Sequence, residues 1–200
     1  MTKLSVKSPL AVDISAFVPQ LKMTDKQFYD FCRNNSELRI ERSAEGEIIV
    51  MPPAFSDTGG QNAEITIDLG IWAREDGTGK VFDSSAGFTL PNGATRSPDV
   101  AWIRFDRWNA LSPEQKASFA PISPDFVIEL RSASDTLIGL QSKMQEYIDN
   151  DVRLGLLIDR KKRMVHVYRP GQDPQVLLDP KQVSCEPEIP GLAFQMAHIW

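Results

Sequence analysis

The sequence predicts an α/β (α+β) chain in which helices pack on a mixed β-sheet. Three observations carry that expectation. Phe126-Val127-Ile128-Glu129-Leu130 is almost continuously apolar, as a strand covered on both faces must be. Leu137, Leu140, Gln141, Met144, Tyr147 and Ile148 follow at helical spacing, and Leu154 to Ile158 returns to strand, so the unit reads as a right-handed crossover. Upstream, Leu38 to Arg42 alternates, Ser43-Ala44-Glu45-Gly46 turns, and Glu47 to Met51 resumes before Pro52-Pro53, which describes an antiparallel hairpin.

The remaining elements follow in chain order. Residues 1 to about 22 show no sustained periodicity and read as an extended arm, leaving 23–200 as one domain. Thr24 and Gln27 form a capping-box pattern ahead of Phe28, Phe31 and Cys32, which gives a first helix through about Asn34. After a loop containing Gly59-Gly60, Ile65, Leu69, Trp72 and Ala73 share one side of a second helix that ends near Gly77. Lys80 to Asp83, Gly87 to Leu90 and Asp99 to Phe105 read as strands continuing the sheet, the last two joined through Pro91-Asn92-Gly93. Ser112-Pro113-Glu114 opens a short helix that stops before Pro121. Lys161-Lys162-Arg163 turns into a strand from Met164 to Tyr168, where His166 is expected to face outward between two valines. A proline-rich stretch then leads to an apolar tail, Leu192 to Trp200.

Composition narrows the function. A chain of 200 residues with 42% hydrophobic and 24% charged residues can bury a substantial core. Its 22 Lys+Arg against 27 Asp+Glu leave a net charge of -5, which argues against coating nucleic acid through a broadly basic surface. Any polyanion must be held locally. Two distant cysteines, Cys32 and Cys185, suggest neither a disulfide framework nor a zinc site and fit a reducing cytoplasm. No apolar run approaches the ~18 residues of a membrane span, and the first residues lack a signal-peptide core. Phosphate-loop, nucleophile-elbow and HExxH motifs are missing, and two distant histidines do not make a metal site.

The acidic residues carry more. Asp99 begins one apolar strand and Glu129 nearly ends another, so both carboxylates can meet at one edge of the sheet. Two like charges in an apolar setting need compensation, and oxygen ligands suit Mg²⁺ or Mn²⁺ better than zinc. The competing reading is that each carboxylate caps a turn or pairs with an arginine such as Arg96 or Arg131. Alternation puts Arg131 on the face of Glu129, and Lys143 borders the apolar side of the following helix, either as a solvated flank or bent toward the carboxylates.

Ser97-Pro98-Asp99-Val100, Pro124 to Ser132, Lys143-Met144-Gln145-Glu146-Tyr147 and Val152-Arg153-Leu154-Gly155, together with the Glu41 hairpin, resemble the Uma-two family of restriction-endonuclease-like proteins abundant in cyanobacteria. The likeness runs from about residue 24 to 170. It implies the PD-(D/E)xK nuclease fold, a restriction-endonuclease-like mixed sheet flanked by helices behind an N-terminal helix and hairpin. It further implies Asp99 and Glu129 as metal ligands with the Leu130 carbonyl as a third, and Lys143 as a lysine migrated onto the helix, since Arg131 stands where many relatives have lysine. Glu41 matches the hairpin acid, contributing through a bridging water. Many relatives carry a histidine where this chain reads Gln61-Asn62.

The expected activity is Mg²⁺-dependent hydrolysis of DNA phosphodiesters, with Mn²⁺ able to substitute and with Arg104, Arg107, Arg131 and Lys161 to Arg163 as candidate phosphate contacts. Two rivals stand beside it: a catalytically silent nuclease fold that binds nucleic acid or protein, and a homodimer built on apolar termini including Phe17 and Trp200, which is compatible with either.

Overall fold

The computed structural model describes residues 23–200, so the expected arm, Phe17 included, lies outside the described residues. Helix α1 (Asp25–Asn34) starts at the capping box, with the Thr24 hydroxyl accepting the Gln27 N–H and the Gln27 side chain accepting the Thr24 N–H. Strands β1 (Arg39–Arg42) and β2 (Ile48–Met51) form the hairpin, with Glu41 opposite Ile49. Helix α2 (Ser56–Asp76) ends at Gly77, whose φ of 70° favours glycine. It begins well before Ile65, so Gly59 and Gly60 are helical rather than looped. Buried Ile65, Leu69 and Ala73 anchor the helix, and this packing overrides a glycine penalty of about 1 kcal/mol per residue.

Strands β3 (Gly79–Asp83), β4 (Phe88–Thr89), β5 (Thr95–Arg96) and β6 (Val100–Arg104) follow. The Pro91-Asn92-Gly93 turn joins β4 to β5, not to β6. Two residues are too few to show a period, and β5 exists as a strand because it pairs with β1 across Arg42 and Thr95. Short helices α3 (Phe105–Asn109) and α4 (Pro113–Lys116) precede β7 (Phe126–Leu130), α5 (Leu137–Asp149), β8 (Leu154–Asp159) and β9 (Met164–Tyr168). The tail is more ordered than its composition suggests: β10 (Gln175–Leu178), β11 (Gln182–Ser184), β12 (Ala193–Gln195) and a 3-10 turn.

The strands make two sheets and a small ribbon rather than one sheet. One sheet runs β10-β9-β8-β7-β6-β3, a second runs β2-β1-β5-β4, and β11 pairs with β12. Among the strand pairs of the described residues only β7–β8 is parallel, bridged by α5, as the strand-helix-strand pattern requires. Alternation along β7 divides the core. Phe126, Ile128 and Leu130 pack beneath α2 and the tail residues Val183, Phe194 and Ile199, whereas Val127 packs beneath Met144, Tyr147 and Ile148 of α5. Glu129 shares the α5 face with Val127. The end of the flexible Met144 side chain from α5 fills the space beside Gly155 on β8.

His166 corrects an expectation, being buried rather than outward-facing, because β9 is an inner strand between β8 and β10 and α5 packs across it. Trp200 is half-buried against the core, with the Arg163 guanidinium 5.5 Å from its ring, so it is not a free apolar patch. No helix among the described residues is long and apolar enough to cross a membrane.

Candidate active site

Antiparallel pairing of β6 with β7 puts Val100 opposite Ile128, and one step further places Asp99 beside Glu129. The two carboxylates open onto a cavity of about 590 Å³ between the two sheets, roofed by the start of α5 and by the loop before α2.

Glu129 is 4% exposed and receives all its protein contacts on one oxygen. Its Oε1 lies 2.8 Å from Lys143 Nζ and accepts the Tyr147 hydroxyl at 2.9 Å, while Oε2 has no donor among the described residues. Burial, reinforced by the charges of Asp99 and Glu41, pushes its carboxyl up to about 7 despite Lys143. Asp99 is half-buried. Its Oδ2 accepts the Leu130 N–H at 2.9 Å and its Oδ1 accepts Asn62 Nδ2 at 3.1 Å. Desolvation outweighs those donors and the positive charges of Lys143 and Arg39, so this carboxyl too lies above the usual range.

Lys143 is no solvated flank. Its ammonium bridges Glu129 and Glu41, 2.9 Å from Glu41 Oε1. Burial opposes its charge, but the two carboxylates outweigh that cost and hold it above the usual lysine range. Glu41, buried on β1, also accepts the Ser97 N–H at 2.9 Å and Arg96 Nη1 at 3.2 Å. Burial would raise its carboxyl, yet Lys143, the Ser97 N–H and Arg96 together hold it below the usual range. Arg96 is itself gripped from the other side by Glu146, Nε to Oε2 at 2.6 Å.

The structure therefore brings together Asp99, Glu129, Lys143 and Glu41 from four separate elements, with Leu130 in the same lining. Neither Asp99 nor Glu129 pairs with an arginine among the described residues. Arg131 keeps to the Glu129 face but does not line the cavity: the parallel register that sets Leu130 opposite Ile158 brings it alongside Asp159, which its guanidinium binds, Nη1 to Oδ2 at 2.6 Å. Arg104, Arg107 and Arg163 pair with Asp106, Asp125 and Asp179, and none of them lines the cavity. Arg104 lies at the far end of β6, about 16 Å along the strand from Asp99.

Sequence reasoning missed Arg39, Asn62 and Tyr147 as members of this site. The signals were present in part: Arg39 is two residues before Glu41 on β1, and Tyr147 is one helical turn after Lys143. Asn62 also leaves its Oδ1 buried and unpartnered beside Asp99. Among the described residues no three His, Cys, Asp or Glu side chains converge on one point, so any cation here has two carboxylates and must draw its remaining oxygens from carbonyls and water.

Comparison with known proteins bears on the fold and the family. A crystal structure described as "a putative nuclease belonging to DUF820 from Anabaena variabilis" is similar in fold, with a TM-score of 0.71 over 88% of this chain and 97% of that one at 19% identity. No curated protein matches the chain. The model of the Uma2 family, described as "Putative restriction endonuclease", matches residues 25–197. That span takes in the hairpin, both carboxylate-bearing strands and the lysine-bearing helix, and the chain belongs to the Uma2 family.

Proposed function

We propose that the protein is a metal-dependent endonuclease that hydrolyses phosphodiester bonds of DNA. The observation that carries this reading is the adjacent Asp99 and Glu129 pair, held without an arginine and sharing one lysine. Family membership and the likeness to a nuclease fold support it.

The charge of the cavity lining favours a bound cation. Its lining carries Arg39, Arg96 and Lys143 against Glu41, Asp99, Glu129, Asp135 and Glu146, three positive groups against five negative, or a formal charge of -2. A phosphodiester would be repelled there unless a dication entered first. The free Glu129 Oε2 and the half-open Asp99 suit a hard ion that keeps several waters, which fits Mg²⁺ with Mn²⁺ as substitute; Asp99 and Glu129 would hold it, with the Leu130 carbonyl as a third oxygen. When bound, such an ion supplies Lewis-acid polarisation of a phosphoryl oxygen and acidifies its bound water.

The chain's own residues do the rest. Lys143 has three N–H donors, and the two carboxylates occupy two of them. The third is left to orient the attacking water or to offset charge building on the phosphoryl oxygens. Glu41 acts through Lys143: fixed by Arg96 and the Ser97 N–H, it sets where the ammonium points. A homodimer with one such site per protomer is compatible with this reading, and light scattering tests it.

Cleavage of plasmid, linear duplex and single-stranded DNA in EDTA, Mg²⁺ and Mn²⁺ tests the whole. Metal-dependent cutting lost in Asp99→Ala, Glu129→Ala and Lys143→Ala is the expected result. Cutting that survives all three substitutions would overturn the site. A fold that binds without cutting is the second reading, favoured by the net charge of -5 and by Gln61-Asn62 standing where the resemblance places histidine. It wins if Mn²⁺ binds and no substrate is cut.

A further inference from the structure

Three cations line the cavity, and two of them are neutralised. Arg96 is held by Glu41 and Glu146, and Lys143 by Glu41 and Glu129. Arg39 has no ion-pair partner among the described residues, and its Nε is buried with no hydrogen-bond acceptor. An unsatisfied guanidinium N–H inside a protein is costly and calls for an explanation. Strand β1 gives its direction: Arg39 and Glu41 are two residues apart, share one face and line the same cavity. Its charge lowers the carboxyl of Asp99, and that of Asp83 as well, without a salt bridge to either among the described residues.

We propose that Arg39 is the phosphate anchor of the cavity, its planar fork taking two non-bridging oxygens of a substrate phosphodiester. The contact rests on the nuclease reading and adds to it the group that positions the substrate. In a lining of net negative charge, the cation without a protein partner is the one available to a phosphate. A guanidinium matches two phosphate oxygens where an ammonium supplies only a point charge.

Two measurements test it on the full chain. In the wild-type protein the Arg39 Nε–H NMR signal, assigned by its loss in Arg39→Lys, should shift saturably as dimethyl phosphate is added; a signal that does not move overturns the proposal. In Ca²⁺, anisotropy of a fluorescein-labelled DNA duplex should show Arg39→Ala binding about tenfold more weakly, with a salt slope lower by about one. Arg39→Lys should recover the slope but not the full affinity, and Arg74→Ala, at the exposed far end of α2 and outside the cavity lining, should bind as wild type. Equal affinity of Arg39→Ala and wild type overturns the anchor while leaving the nuclease reading intact. Arg39-dependent uptake of dimethyl phosphate by a protein that cuts no DNA upholds the anchor and removes the nuclease.

Discussion

Strand β7 has a carboxylate at each end, and the molecule compensates them in opposite ways. Asp125, just before the strand and 1% exposed, accepts the Arg104 N–H at 3.0 Å and faces two guanidinium groups, Arg107 at 3.0 Å and Arg153 at 4.0 Å. Asp159, closing β8, is likewise buried against Arg131. Glu129, at the other end of β7, pairs with no arginine among the described residues, shares its lysine with Glu41 and lies beside Asp99, which likewise has no arginine salt bridge there. A buried acid with permanent cations is finished as structure. One left short of positive charge can accept an exchangeable cation, and this difference separates framework from site more sharply than burial does.

Removing each acid should expose that contrast. Asp125→Ala leaves two guanidinium groups and a strand-end N–H without their acceptor, and should cost about 3 kcal/mol in urea unfolding. Glu129→Gln removes a charge that the fold already disfavours, and should change metal-free stability by less than about 1 kcal/mol while abolishing stabilisation by Mn²⁺. Similar losses at both positions would erase the distinction.

An intermediate effect is expected at the shared lysine. Lys143→Met strips Glu41 and Glu129 of their common ammonium and should cost about 2 kcal/mol. Part of that loss should be absent when the substitution is made in a Glu129→Gln background, a non-additivity of about 1 kcal/mol in a double-mutant cycle. Strict additivity would mean that the ammonium and Glu129 are not coupled.

The smallest effect is one of pH. The Glu129 carboxyl titrates near 7 in the fold against 4.5 when unfolded, so the fold favours the protonated form. Its contribution is complete below 4.5 and is lost as pH rises through about 7. Metal-free protein should therefore lose a few degrees of Tm across that window relative to Glu129→Gln. Because the cation competes with the proton, the Tm gain from Mn²⁺ should grow over the same window. Calorimetry with and without Mn²⁺ reads both, and identical profiles for the two proteins would place the titration elsewhere. Glu41, with its carboxyl held below the usual range, acts in the opposite sense and on the acid side of that window.

Much of this was legible in the chain. The apolar run with Glu129 inside it, the helix carrying Lys143, the capping box at Thr24 and the hairpin carrying Glu41 all sit where periodicity and turn chemistry place them. The extension of α2 through Gly59-Gly60, the two-residue strands β4 and β5, and the ribbon formed by β11 and β12 did not show. Such elements are held by partners far away in sequence: β5 by β1, and Val183 and Phe194 by the core under α2.

The longer elements and the inventory are readable along the chain: which segments alternate, which face of each is apolar, and which acids interrupt apolar runs. Those are local properties, set by backbone periodicity and side-chain hydration. Only the tertiary structure decided the partners. Arg131 is two residues from Glu129 yet binds Asp159, whereas Lys143 and Glu41, 102 positions apart, are in direct contact. Charge pairing acts through space at a few ångströms, and the sheet register together with the packing of α5 on the sheet decides which charges come within that range.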